Sequence, residues 1–268
     1  MTTSESAGPC DVRSGTTADR GGEIVPTFLH GKDTQILVNG IDLTSFFTSV
    51  NLSLESPALD VSTFGLTPKA FIPGLVFSGT VSLDGLWSGA ANDAEDILRT
   101  AFLAGNTAYL SYLTGSGAAG YHGYYLPVKR TGHAVTSSIT DAVRISVDNQ
   151  ITGAPLMGIS LGALAQRTNA SQTFAGVDLG AGYTGTLAAG AIQVTQFTAG
   201  DSSITVTVET ATDSGFTTGL ATIITFNATA VGAYSVAESA QTVKRYVRLR
   251  AACSAGETIT IHGLLQAR

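Results

Sequence analysis

Several short stretches carry residue types at spacings that chemistry uses. Gly115-Ser116-Gly117-Ala118-Ala119-Gly120 spells the G-x-G-x-x-G of a dinucleotide-binding loop. That chemistry needs a helix to begin inside the motif, so that its N-terminus faces the pyrophosphate. Here the next residues are Tyr121-His122-Gly123-Tyr124-Tyr125-Leu126-Pro127, an aromatic, strand-like run halted by proline. The glycines therefore read as a hairpin turn, and no cofactor is expected. Gly158-Ile159-Ser160-Leu161-Gly162 spells the nucleophile elbow G-x-S-x-G, and His262 with Asp178, Asp201 or Asp213 could complete a triad in hydrolase order. The elbow belongs between a strand and a helix of a parallel sheet. No strand–helix alternation exists in this chain, so Ser160 reads as part of a glycine-rich exit from a domain, and the chain is not expected to be an enzyme.

The four histidines, His30, His122, His133 and His262, are scattered without metal-ligand spacing. His122 and His133 could sit on facing strands, but a zinc site needs more ligands than two, and no metal site is expected. Lys244, Arg245, Arg248 and Arg250 form a basic cluster. On a strand, Lys244, Tyr246, Arg248 and Arg250 share one face while Val247 and Leu249 take the other, which reads as a solvated sheet face. Of the two cysteines, Cys10 and Cys253, the second shares a strand face with Val247, Leu249 and Ala251 and reads as a buried small hydrophobe. No disulfide is expected between them, in keeping with synthesis in a reducing cytoplasm.

The elements that would position these residues are mostly strands. In Leu75–Ser88, the residues Leu75, Phe77, Val81, Leu83 and Trp87 fall on one face, against Ser78, Thr80, Ser82 and Asp84 on the other. In Phe46–Glu55, the residues Phe46, Val50, Leu52 and Leu54 alternate with Ser49, Asn51, Ser53 and Glu55. Asp141–Asp148 repeats the pattern with Val143, Ile145 and Val147. Period-two alternation of this kind marks half-buried strands. One helix is predicted from Asn92 to Ala104: Asn92 as N-cap, Glu95 as its reciprocal partner, and Ala94, Ile97, Leu98, Ala101 and Phe102 as a single buried stripe. Gly105 ends it.

Gly, Ala, Asn and Ser replace the strand pattern between Leu161 and Ser171. Beyond that stretch, strands are expected at Thr184–Thr198, Ser203–Thr210, Leu220–Phe226, Lys244–Cys253 and Thr258–Leu265, a rhythm that suits an immunoglobulin-like or jelly-roll sandwich. The reading is all-β with one packed helix. A flexible arm (1–33) precedes a first sandwich or barrel domain (34–161), a linker (162–171) and a second sandwich (172–268).

Charged residues make up only 13% of the 268-residue chain, and the net charge is −6. Such a balance argues against a nucleic-acid binder, which needs cations to neutralise phosphates. The excess is confined to the first part: 14 acidic against 8 basic residues up to Leu161, and 6 of each after it. No run of about 20 apolar residues is present, so no membrane span is expected. The opening Met1–Gly22 lacks the apolar core of a secretory signal.

The stretch from Leu59 to Trp87 resembles the major tail proteins of siphophages. It carries Leu59-Asp60-Val61-Ser62-Thr63-Phe64-Gly65, then Lys69-Ala70-Phe71-Ile72-Pro73-Gly74-Leu75, then Ser82-Leu83-Asp84-Gly85-Leu86-Trp87. The residues bearing the likeness are Asp60, Thr63, Phe64, Gly65, Ile72, Pro73 and Gly74; Leu66 departs from the polar residue expected there. The resemblance implies a β-sandwich with one packed helix, assembled as stacked hexameric rings in the tail of a virion. It also implies contacts with other copies of itself and with tape-measure, tail-terminator and distal tail proteins, and a lumen through which genomic DNA passes without specific binding. Ser49, Asn51, Ser53, Glu55, Ser78, Thr80, Ser82 and Asp84 are the candidate lumen-facing residues, and the second sandwich would decorate the outside. Two other classes remain open at this point: a virion decoration protein or glycan-binding adhesin, and a secreted hydrolase dependent on Ser160.

Overall fold

A computed structural model describes residues 29–55, 58–60, 71–73, 78–88, 93–168, 170–198 and 203–268. Among the described residues the chain is all-β with one α-helix. Its first strands are β1 (Gln35–Val38), β2 (Ile41–Asp42), β3 (Phe47–Glu55), β4 (Ala58–Asp60), β5 (Phe71–Pro73) and β6 (Ser78–Leu86), followed by the helix α1 (Ala94–Ala104). Next come β7 (Ala108–Leu113), β8 (His122–Ser138), β9 (Asp141–Ile151), β10 (Leu156–Ser160), β11 (Ala165–Thr168), β12 (Gln172–Thr173) and β13 (Val177–Asp178). The last group is β14 (Gly185–Thr198), β15 (Ile204–Ala211), β16 (Ala221–Ala228), β17 (Gly232–Val243), β18 (Tyr246–Ala252) and β19 (Thr258–Ala267). Within the stretch read as linker, β11 pairs with β19 from Ala165↔Ile261 to Thr168↔Thr258.

One 12-stranded sheet runs through both halves of the chain, in the order β17-β14-β19-β10-β8-β7-β1-β2, with β9, β6 and β3 branching from β8 and β11 pairing β19. A 5-stranded sheet of β12, β13, β18, β15 and β16 faces its C-terminal part. Between the two lies a core of Ile192, Val194, Val206, Val208, Leu249, Ile259 and Ile261. The N-terminal part encloses a second core, with Ile36, Val38, Val81, Leu83, Leu98, Leu126 and Val147 among its members.

The third core explains the shape of the central sheet. Leu37, Leu113, Tyr125, Leu156, Ala189, Ala191 and Leu264 pack together, although they come from six strands running from β1 across to β14. Their neighbours Ile36, Val38, Ala188 and Ile192 belong to the other two cores. Side chains alternate across a strand, so the strands from β1 to β14 are buried on both faces, and their sheet curls around the third core.

A single side chain closes the curl. Gln193 on β14 is 1% exposed. Its Oε1 accepts the Gly40 amide at 2.7 Å, and its Nε2 donates to the Tyr109 carbonyl at 3.1 Å and the Ser111 hydroxyl at 3.0 Å. Asn39 (φ 48°) and Gly40 (φ 81°) form the two-residue β1–β2 turn, where Asn-Gly is favoured because both central residues need positive φ. A side chain at Gly40 would stand 2.2 Å from the Val194 carbonyl oxygen, so glycine is required there for space as well as for conformation.

The helix begins one residue later than predicted. Asp93 occupies the N-cap position and makes no side-chain cap bond; instead its carboxylate accepts from the Ser88 hydroxyl. Asn92 lies outside the described residues. Glu95 does not reach back to the cap but turns to His133, with Oε2 3.1 Å from Nε2. Arg130 donates to the Leu98 carbonyl. Burial lowers the Arg130 guanidinium to about 10, against the pull of Glu95. Gly105 ends the helix in the left-handed conformation, as expected.

Ala94 and Leu98 are buried, but Phe102 is 39% exposed and stacks on the His133 ring at a centroid distance of 6.1 Å. The predicted stripe is therefore too wide at its C-terminal end. Trp87, expected on the buried face of its strand, is also 39% exposed, because β6 ends at Leu86.

Two stability measurements follow. Leu98→Ala should cost roughly 3 kcal/mol and Phe102→Ala about 1 kcal/mol, read from denaturant midpoints; equal losses would show that the helix does not dock through Leu98. Gln193→Leu strands the Gly40 amide and removes the donor to the Ser111 hydroxyl, while the Tyr109 carbonyl keeps the Asn39 amide; it should cost roughly 3 kcal/mol. Hydrogen exchange should then accelerate at both the 39–40 turn and β7.

Candidate functional site

The residues expected to line a lumen are brought onto one sheet surface. β3, β6, β9 and the distal part of β8 pair in that order. The cross-strand register sets Ser53 beside Thr80, Asn51 beside Ser82, Ser49 beside Asp84, and Glu55 opposite Ser78. Ser49, Asn51, Glu55, Thr80 and Asp84 are exposed, and Ser53 and Ser82 are half-buried. Val81, Leu83, Ile145 and Val147 are buried on the opposite face.

β9 extends the polar rows with Gln150, Asp148 and Ser146 opposite Thr80, Ser82 and Asp84. The Ser82 hydroxyl donates to Asp148 Oδ1 at 2.7 Å. Gly132 on β8 leaves room for the same carboxylate, which a Cβ would approach to 2.9 Å. Asp148, on the polar side of its strand as the alternation against Val147 predicts, therefore joins this face, although it is not among the candidate lumen-facing residues. Among the residues carrying the family likeness, Asp60 lies in β4 and Ile72 and Pro73 in β5, with Asp60↔Phe71, Leu59↔Ile72 and Ala58↔Pro73 paired. Thr63, Phe64, Gly65 and Gly74 fall outside the described residues.

The structure does bring Ser160 and His262 together, with Ser160 Oγ 2.9 Å from His262 Nε2. The pairing of β10 with β19, Ser160↔Leu264, causes it. Both side chains are 1% exposed. The Ser160 hydroxyl donates to the Gly117 carbonyl and receives the Gly162 amide at 3.3 Å. Asp178 is held by Arg245, with oxygen–nitrogen distances of 2.8 and 2.7 Å, and Asp213 caps its own loop at Thr217 and Thr218. Asp201 lies outside the described residues. A water-excluded serine between backbone partners, on a strand that leads into no helix, is a structural tie rather than a nucleophile elbow. It fastens the glycine turn at 115–120, which carries left-handed Gly115, Ser116 and Gly117, to β19. No helix follows that turn, as expected.

Three of the four basic residues are ion-paired within the fold, Arg245 with Asp178 and the other two with Glu209, while Lys244 donates to the Gly219 carbonyl. Glu209 is 3% exposed; Arg248 lies 2.7 Å from it and Arg250 3.2 Å. The Arg248 guanidinium also sits 4.1 Å from the Phe216 ring centroid. Val247, Leu249, Ala251 and Cys253 are buried on the other face, as the alternation predicted. Burial raises the Cys253 thiol above its usual range, which makes it unreactive. Among the described residues no group of three or more His, Cys, Asp or Glu could hold a metal ion, and no helix is long and apolar enough to cross a membrane.

No family model and no curated protein matches the chain. Among solved structures, one in the virion of a native gene transfer agent particle aligns at 18% identity and TM-score 0.40, over 48% of this chain and 97% of that one. The tail of an empty gene transfer agent particle gives 18% identity and TM-score 0.40 over 47% and 96%. The SPP1 tail tube gives 13% identity and TM-score 0.41 over 48% and 78%. Nothing about this chain's function follows from likenesses at these scores.

Burial drives the His262 imidazole down to about 4, opposed by a hydrogen bond to the Gly117 backbone. The unfolded chain takes up this proton near the ordinary value of about 6.5. Stability from this group is therefore complete above that pH and is lost as pH falls through it toward 4, by up to roughly 3 kcal/mol. His262→Gln should flatten that part of the curve of unfolding free energy against pH; an unchanged slope would show that His262 does not contribute to it.

Proposed function

We propose that this chain is a structural subunit of a siphophage-type tail tube, forming stacked hexameric rings that enclose a conduit for the genome. The observation that carries the reading is the sheet β3-β6-β9-β8, with one face apolar and packed, the other polar: hydroxyls, amides and carboxylates on β3 and β6, with the cations Lys129 and Arg144 confined to β8 and β9. Among the described residues no strand pairs with the outer edge of β3 or with residues 129–138 of β8 on the side away from β9. Two long unpaired edges are an aggregation hazard in a monomer, and closing the sheet across neighbouring copies removes both. A wall of Ser49, Asn51, Thr80, Asp84 and Glu55 offers phosphates no counter-charge, so DNA passes without sticking.

In this reading residues 34–161 carry the ring and residues 172–268 stand outside it, joined through 162–171, while one sheet runs through both. Tape-measure, terminator and distal tail proteins are the partners at the lumen and the two ends of the tube. The subunit is built in the host cytoplasm and works in the virion, with no catalytic role. A decoration protein or adhesin would share the sandwich but would have no need of two complementary free edges.

Negative-stain microscopy of the concentrated protein should show rings or tubes. Replacing Glu55 and Asp84 by lysine repeats two cations around every ring, so assembled tubes should gain DNA affinity that weakens as salt rises. Tubes of normal length without added affinity would remove these residues from the lumen, and a protein that stays monomeric would remove the tube.

A further inference from the structure

The curled central sheet encloses the third core like a small barrel, and its two ends differ. One end is sealed by the Ser160–His262 tie and the turn at Gly117. The other opens into a cleft of about 480 Å³. Its walls are Tyr109 and Tyr125, stacked at 5.4 Å with 17° between the rings, and its floor includes Leu156 and Ala189. Ligand sites favour the mouths of barrels and clefts of this size.

Two features specify what the cleft takes. Tyr125 is 4% exposed, and its hydroxyl oxygen is buried without a hydrogen-bond partner of good geometry. Burial, the larger influence, raises the phenol above its usual value, while Ser235 on the cleft rim approaches the oxygen as a donor. The phenol's own O–H has no acceptor in the chain, which is costly for a buried group and points to an acceptor from outside. The charged groups at the rim, Glu238 and Arg268, hold each other at 2.6 Å, so the cleft presents no net charge to an ion. What remains is aromatic and aliphatic surface combined with neutral hydrogen-bonding groups, Tyr125, Ser235 and the Gln266 amide.

We infer that the mouth of the curled sheet is a binding site for a neutral sugar ring, with its C–H face against Tyr109 and a ring or hydroxyl oxygen accepting from Tyr125. A saccharide suits the site because it combines apolar faces with uncharged donors and acceptors. This inference does not depend on the tail-tube reading, since no residue of β3 or β6 lines the cleft.

Saturation-transfer difference NMR of the full chain tests it, whether or not the protein assembles, using glucose, galactose, rhamnose and N-acetylglucosamine as probes. At least one should receive saturation at its C–H protons. Tyr125→Phe should weaken that sugar's binding roughly tenfold. Ser235→Trp, at an exposed position, should abolish it by filling the mouth without touching the core. Silence from all four sugars would overturn the inference, as would a signal unchanged in both variants. Inorganic phosphate displacing the bound sugar would also overturn it, because it would identify an anion site.

Discussion

A sheet covered on both faces has no surface on which to place a mistake, and the strands from β1 to β14 are in that position. Both faces of them contribute to the three cores, and every buried backbone polar group must be satisfied within the ladder or by a dedicated partner. The seam where the curl closes cannot use the ladder, because β1 and β14 meet through a turn rather than side by side. Gln193 supplies that partner with three hydrogen bonds. Close approaches elsewhere rest on missing side chains: a Cβ at Gly158 would stand 2.3 Å from the Leu265 carbonyl oxygen, and one at Gly123 would stand 2.7 Å from the Leu264 side chain.

Charge is handled with the same economy. The few ionic groups near the cores have dedicated partners: Glu209 two arginines on β18, Glu95 the His133 ring beneath α1, and Glu257 the Ser254 amide. Removing one member of such a pair leaves the other buried and uncompensated, which costs far more than the pair contributes. The low charge content thus reflects a chain in which many surfaces are interior, and the polar sheet of β3, β6 and β9 relies on hydroxyls for its contact with water.

The sequence was most legible where a strand has one wet face. β3, β6 and β9, and β15 and β18 beyond them, alternate plainly, and their observed bounds lie within a few residues of those expected. Strands between two cores were uneven: β14 was expected at Thr184–Thr198 and runs Gly185–Thr198, whereas β7 was missed because Leu110 to Leu113 present no clean polar alternation, both faces being dry. β17 was missed for the opposite reason, being largely exposed and built of small residues. Phe102 and Trp87 were misplaced because their exposure depends on where an element stops, which periodicity does not report. The meeting of Ser160 with His262 was foreseeable only as a possibility, since it depends on the register between strands about a hundred residues apart.

The position of β19 has a consequence for the order of events on the ribosome. It is the last described strand, yet it lies between β14 and β10 in the middle of the large sheet. Until it emerges, β10 and β14 each lack a neighbour, and the core shared by Leu37, Tyr125 and Leu264 cannot form. Contacts of such long sequence separation form late, after the loop-closure entropy has been overcome. The nascent chain therefore cannot complete its fold from the N-terminal end, although the core beneath β3, β6 and β9, drawn from Ile36 to Ile151, holds no residue of β19. Synthesis itself thereby staggers the cores, the N-terminal one available early and the curled one last.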